Sequence, residues 1–194
     1  MANFFKICRI KFQYSMETIT VKDKKFKLSI DSLTIQNSIK KIAERINADY
    51  AGKDIFFIGV LNGSFMFAAD LIKNITCDCT ISFTKLASYE GTKSTGKIKE
   101  LIGLKENIEG KHVVIIEDIV DTGFTMKSVL AQLSEKNPAD IKIATLLFKP
   151  QSFKEDYKVD YVCLEIPNDF IVGYGLDYNG FGRNLNSIYS VVNN

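Results

Sequence analysis

The sequence predicts an α/β fold: a central, mainly parallel twisted sheet flanked by helices, with an antiparallel flap added at one side. Three observations carry this. Continuous apolar runs such as Ile55–Leu61 (IFFIGVL) and Val113–Ile116 are bounded by turn residues, as strands buried on both faces are. Helical periodicity alternates with these runs, which argues for right-handed βαβ units. One polar stretch, YEGTKSTGK (89–97), lies between two strand signals and cannot bury a face of its own.

The elements follow in order. Asp31 or Ser32 can cap a helix whose Ile35, Ile39, Ile42 and Ile46 recur at helical spacing, running to about Ala48. NADYAGKD then breaks the chain before the Ile55–Leu61 strand. Asn62-Gly63-Ser64 ends that strand, and FMFAADLIK resumes as a helix. Cys79–Ser88 reads as a strand, and Lys99–Gly103 as a short returning one. Val113–Ile116 follows the Glu109-Gly110-Lys111 turn, and Met126, Val129, Leu130 and Leu133 mark the next helix, stopped at Asn137-Pro138. Strands are expected at Ile141–Phe148, Tyr161–Glu165 and near Ile188–Val192.

The chain has 194 residues, enough for one domain with a sizeable core. Its formal charge is +2 and no long Lys/Arg run occurs, so the composition argues against a nucleic-acid partner. No apolar run approaches the roughly 20 residues of a membrane span. Four cysteines, at 8, 77, 79 and 163, read as small buried or semi-buried thiols suited to a reducing cytoplasm. Cys77 and Cys79 are expected on one face of a strand, a poor disposition for a disulfide. His112 is the only histidine, so a Cys/His zinc site has little to draw on. Residues 1–15 carry Lys6, Arg9 and Lys11 without an acid and lack a signal-peptide core; they are expected to be a loosely attached extension.

VVIIEDIVDTGFTM (113–126) concentrates the chemistry. Its apolar run ends in Glu117 and Asp118, with Asp121 soon after. In open parallel sheets ligands bind beyond the carboxyl ends of strands, where the acidic pair is expected to fall. A Gly-containing turn into a helix leaves backbone N–H groups aimed one way, which suits a phosphate. Thr122 and Thr125 add hydroxyl donors. Phosphate donors beside carboxylate acceptors match a sugar phosphate, and a divalent ion can share the acidic end. Competing readings are a plain solvated acidic turn and a receiver domain, whose lysine-proline Lys149-Pro150 would come too soon after the acids. Neither GxGxxG nor GxxxxGK[ST] occurs.

The stretch resembles the phosphoribosyl pyrophosphate motif of type I phosphoribosyltransferases. GVLNGSFMF (59–67), SYEGTKSTGK (88–97), LLFKP (146–150) and EIPNDFIVGYGLDYNGFGRNL (165–185), in that order, narrow the resemblance to hypoxanthine-guanine phosphoribosyltransferases over about residues 16–192. It implies the type I phosphoribosyltransferase fold as one domain over 16–194. The core would span about 30–165, with a small hood from about 16–30 and 165–194 and a flexible flap.

It also implies a purine salvage enzyme. The 5-phosphoribosyl group would pass from phosphoribosyl pyrophosphate to N9 of hypoxanthine or guanine, giving IMP or GMP and pyrophosphate. Asp121, Thr122, Gly123, Phe124 and Thr125 would hold the 5′-phosphate. Glu117 and Asp118 would sit at the ribose hydroxyls, partly through Mg²⁺, with Asp177 at a second Mg²⁺ site. Asp121 would be the general base at purine N7. Lys149 would donate to the 6-oxo group, Phe170 would stack on the purine, and Ile171 would offer its backbone beside the ring. Leu61, Asn62 and Gly63 would bind pyrophosphate through a loop whose first peptide can be cis, with Arg183 as a further ligand. Ser88 and Tyr89, also at the pyrophosphate, would begin the flexible lid that closes over the reacting sugar. Asn62 and Phe124 stand where some relatives carry lysine, and Gly180-Phe181-Gly182 where they carry bulkier residues. Relatives are homodimers or homotetramers. A nucleotide-sensing RNA- or DNA-binding protein on the same fold is the alternative, and it would need a basic face.

Overall fold

In this computed structural model residues 18–87, 99–102 and 104–192 are described. Two short strands, β1 (Thr18–Val21) and β2 (Lys24–Ile30), form a hairpin. Helix α1 (Ser32–Asp49) is capped by Asp31, whose carboxylate accepts from the Thr34 N–H at 2.9 Å and its hydroxyl at 3.0 Å. Then come β3 (Ile55–Leu61), α2 (Phe65–Ile72), β4 (Cys79–Ala87) and β5 (Lys99–Ile102). The next elements are β6 (His112–Val120), α3 (Phe124–Ser134), β7 (Asp140–Phe148) and β8 (Tyr161–Glu165). The chain closes on β9 (Ile171–Val172) and β10 (Ile188–Val191).

Six strands form one sheet in the order β5-β4-β3-β6-β7-β8, parallel from β4 to β8, with β5 antiparallel at the edge. Alternate side chains of β3 feed two cores. Ile55 and Phe57 meet Ile35, Ile39, Ile42 and Ile46 of α1 and Leu71 of α2. Phe56, Ile58 and Val60 meet Met126, Val129 and Leu133 of α3. A strand packed on both faces must be apolar throughout, which is why IFFIGVL carries no polar residue. Each fully buried isoleucine of α1 contributes about 1.5–3 kcal/mol. The other sheet, β1-β2-β10-β9, is antiparallel and draws its strands from residues 18–30 and 171–191. Among the described residues no helix is long and apolar enough to cross a membrane.

Two expectations are corrected. β6 does not end at Ile116: Glu117 pairs with Thr145, Ile119 with Leu147 and Val120 with Phe148. The acidic pair therefore lies within the strand, because β7 continues the ladder past the charges that end the apolar pattern. Cys77 precedes β4 rather than sharing a face with Cys79, and its thiol lies against the carbonyls of Asn47 and Tyr50. Cys77, Cys79 and Cys163 are free thiols; Cys77 and Cys163 are half-buried as expected, but Cys79, at the start of β4, is exposed. Residues 1–15, together with Ser88, Tyr89 and the polar stretch to Lys97, lie outside the described residues.

Candidate active site

β3 accompanies β6 only as far as the Gly59–Ile116 pair, then turns away at Leu61, whose peptide to Asn62 is cis. Glu117 and Asp118 stand in the opening so created. The Asp118 Oδ1 accepts from the Ile119 N–H at 2.8 Å. Its Oδ2 lies across Gly63, where a Cβ would fall 1.4 Å from it. No side chain is possible at position 63 while Asp118 keeps this place. Glu117 is half-buried as a residue, yet its Oε2 is sealed from solvent and has no hydrogen-bond partner. Burial, and then the charge of Asp118, push the Glu117 carboxyl well above the usual glutamate range. Burial raises Asp118 as well.

Beyond Val120 the chain turns through Asp121 and Thr122 to Gly123, whose left-handed backbone (φ 86°) caps α3. The Gly123 carbonyl receives the Tyr157 hydroxyl at 2.8 Å, and the Thr122 carbonyl receives the Lys154 N–H at 3.2 Å. Residues 154–157 thus brace the loop from outside. A cavity of about 100 Å³ is lined by Glu117, Asp121, Thr122, Gly123 and Thr125, at the positive end of the α3 dipole. It fits an anion bound through the N–H groups of the first helical turn.

Lys149 follows β7, and its N–H donates to the Val120 carbonyl at 3.0 Å. Its side chain is buried, and its ammonium donates to Asp121 Oδ2 at 3.0 Å. Sequence reasoning placed both residues at the base but missed their pairing. Each reads as a surface charge, and nothing local links positions so far apart in the chain.

Phe170 is 44% exposed, with its ring edge-on to Tyr178 at 5.7 Å and the Lys24 ammonium 5.4 Å from its centroid. Ile171, in β9, is buried. Arg183 pairs with Asp177 at 2.6 Å and donates to the Gly175 carbonyl at 2.7 Å. The other Asp177 oxygen accepts from the Gly180 N–H at 2.6 Å. A Cβ on Gly175 (φ 100°) would sit 2.0 Å from the Gly63 carbonyl oxygen. The Leu61–Ser64 loop is thus pressed between Asp118 on one side and the Arg183-bearing loop on the other. Contacts and one cavity join Glu117, Asp121, Thr122, Gly123, Thr125 and Lys149, and contacts join Asp118, Gly63, Asp177 and Arg183. Phe170 packs on Tyr178 and Phe26, Ile171 lies in the core, and Ser88 and Tyr89 are outside the described residues.

No group of three or more His, Cys, Asp or Glu side chains that could hold a metal ion occurs among the described residues. Two adjacent buried carboxylates, one with an orphaned oxygen, nevertheless fit Mg²⁺. That ion is commonly held by one or two carboxylates, with waters and substrate phosphates completing its octahedron.

Comparison with known proteins agrees with this geometry. Residues 30–179 match the phosphoribosyl transferase domain family. A hypoxanthine-guanine phosphoribosyltransferase of Streptococcus pneumoniae is 42% identical over 163 residues, covering 84% of this chain and 89% of that protein. One from Staphylococcus aureus is 44% identical over 152 residues, covering 78% and 85% respectively. The crystal structure of a hypoxanthine-guanine phosphoribosyltransferase from Bacillus anthracis is similar with a TM-score of 0.82 at 43% identity, over 85% of this chain and 98% of that one. The domain match, these relatives and the shared fold show that the chain belongs to the phosphoribosyltransferase family, in its hypoxanthine-guanine branch.

Proposed function

We propose that the protein is a purine salvage enzyme moving the 5-phosphoribosyl group from phosphoribosyl pyrophosphate to N9 of hypoxanthine or guanine. The products are IMP or GMP and pyrophosphate. The observation that carries the reading is the convergence of Lys149 and Asp121 beside the phosphate-sized cavity at the start of α3. A cation and a carboxylate 3.0 Å apart offer what the 6-oxo and N7–H edge of these purines requires, a donor and an acceptor.

In this mechanism the Thr122–Thr125 loop holds the 5′-phosphate and fixes where C1′ lies. The purine docks with its 6-oxo group on Lys149, its N7–H on Asp121, and Phe170 against its ring, with the Ile171 backbone alongside. N9 attacks C1′ while the C1′–O bond to pyrophosphate breaks, and the proton leaves N7 for Asp121. Arg183 and the amides of Leu61, Asn62 and Gly63 receive the leaving pyrophosphate. Ser88 and Tyr89 belong to a lid that excludes water from the cationic sugar. Glu117 and Asp118 would hold Mg²⁺ at the ribose hydroxyls, with Asp177 at a second ion. When bound, Mg²⁺ offsets the charge that builds on the leaving group. The protein is proposed to work as a cytoplasmic homodimer or homotetramer.

The test is a purine panel: purified protein, Mg²⁺ and phosphoribosyl pyrophosphate with each base, products resolved by chromatography. IMP and GMP are expected and AMP is not, since the 6-amino group of adenine would meet an ammonium donor. Absence of both IMP and GMP removes the reading.

A further inference from the structure

Tyr174 is buried and holds a left-handed backbone (φ 49°), a conformation bulky residues seldom keep without compensation. Its phenol supplies that compensation. The hydroxyl donates to Asp70 Oδ2 at 2.5 Å. The Gln36 amide donates to the same oxygen at 2.6 Å and to the tyrosine oxygen at 3.1 Å. Three elements meet here: Gln36 is on α1, Asp70 on α2, and Tyr174 lies just past β9. Helix α2 leads directly out of the Leu61–Ser64 loop.

The residue after Tyr174 is Gly175, the one in contact with the Gly63 carbonyl. Gly175 also holds Arg183, donating its N–H to the Arg183 carbonyl at 3.0 Å and accepting the guanidinium on its own. A tether at Tyr174 therefore fixes both the Gly63 contact and the arginine.

We propose that Gln36, Asp70 and Tyr174 form a clamp that seats the Arg183-bearing loop on the Leu61–Ser64 loop, making them positioning residues for the pyrophosphate group of the substrate. The inference rests on the phosphoribosyltransferase reading, which puts pyrophosphate between those loops. Each clamp residue acts through Gly175 and Arg183.

Calorimetric titration with Mg²⁺ present separates the pyrophosphate end from the rest. Phosphoribosyl pyrophosphate carries that group, whereas IMP fills only the 5′-phosphate and purine ends. Tyr174→Phe keeps the ring in the core, and Asp70→Ala removes the acceptor. Tyr174→Phe, which loses one charge-assisted hydrogen bond, is expected to weaken phosphoribosyl pyrophosphate about tenfold, and Asp70→Ala, which loses those from Tyr174 and Gln36 and the Lys73 pair, at least as much, while IMP stays within about twofold. Asp70→Asn keeps an acceptor and should remain within about threefold of the parent. Equal weakening of both ligands would mean general loosening and overturns the clamp, as does no change in either. If the parent binds both ligands but forms no nucleotide from hypoxanthine or guanine, the catalytic reading falls and the clamp is still judged by the ratio. A parent that binds neither overturns both.

Discussion

Glu117 and Asp118 stand on a strand whose neighbour fixes its register residue by residue, whereas Asp177 and Arg183 stand on turns that close on themselves within a few residues. The first group is half-buried, with its carboxyls drawn inward, and burial raises both carboxyl pKa values. The second is anchored by isolated backbone bonds, an ion pair, a glycine contact and one tyrosine. A parallel ladder can hold mutually repelling charges in place because the backbone bonds persist whatever the side chains do. Turns have no such ladder, so side-chain bonds and steric fit must set their position. Substitutions should therefore separate the two halves: chemistry and charge should change in the first, geometry in the second.

Asp121→Asn, at the end of the ladder, is expected to lower kcat about a hundredfold or more, the range of general acid–base catalysis, while KM for phosphoribosyl pyrophosphate moves little. Steady-state kinetics with hypoxanthine decides this, and an unchanged kcat takes Asp121 out of the base role. On the turn side, Gly175→Ala must shift a Cβ that would lie 2.0 Å from the Gly63 carbonyl. It should raise KM for phosphoribosyl pyrophosphate about tenfold or more, through roughly 1–3 kcal/mol of backbone strain, with a smaller change in kcat. A fall in kcat alone would erase the distinction between the halves.

Glu117→Gln tests the electrostatics of the ladder side. The folded protein keeps a proton on Glu117 above the ordinary value of 4.5, where the unfolded chain has released it. The folded state then binds more protons, so this group makes stability fall as pH rises from there through its raised pKa. Gln removes that penalty. In metal-free buffer the variant should match the parent near the start of that window and exceed it at neutral pH, by about 2–4 °C in Tm per kcal/mol relieved. A difference independent of pH would refute the raised Glu117 pKa. The smallest effect is expected from Phe124→Lys. Phe124 is half exposed at the start of α3, and the loop's phosphate donors are backbone groups. Less than about a twofold change in KM is anticipated, at the weak end for an exposed charge; a large gain would mean the loop relies on side-chain charge.

Much of this was legible in the chain. IFFIGVL and YVCLE gave strands with the observed bounds, because continuous apolar runs between turn residues leave little choice of ends. The isoleucine spacing located α1 to within a residue of its end, and of the two cap candidates Asp31 is the one used. β6 was read too short, since an apolar pattern stops at Glu117 while hydrogen bonding to β7 does not. β1 and β2 went unread, although Phe26, Leu28 and Ile30 alternate with polar neighbours in the manner of a one-faced strand. Among site residues, the order and spacing of motifs named the candidates. The Lys149–Asp121 pair, the Gly175–Gly63 contact and the tyrosine clamp were not legible. They depend on how distant segments meet in space, and no local pattern encodes that.

β5 has a consequence apart from the site. A parallel sheet ending at β4 would present a long row of unpaired N–H and C=O groups, a template for strands of other molecules. β5, four residues among those described, covers part of that row in antiparallel sense, and the pairing shifts register between Lys85 and Leu86. Short, bulged margins are poor templates for further strand addition. The returning strand thus helps guard the protein against fibrillar self-association at concentrations where an uncovered β4 would be a liability.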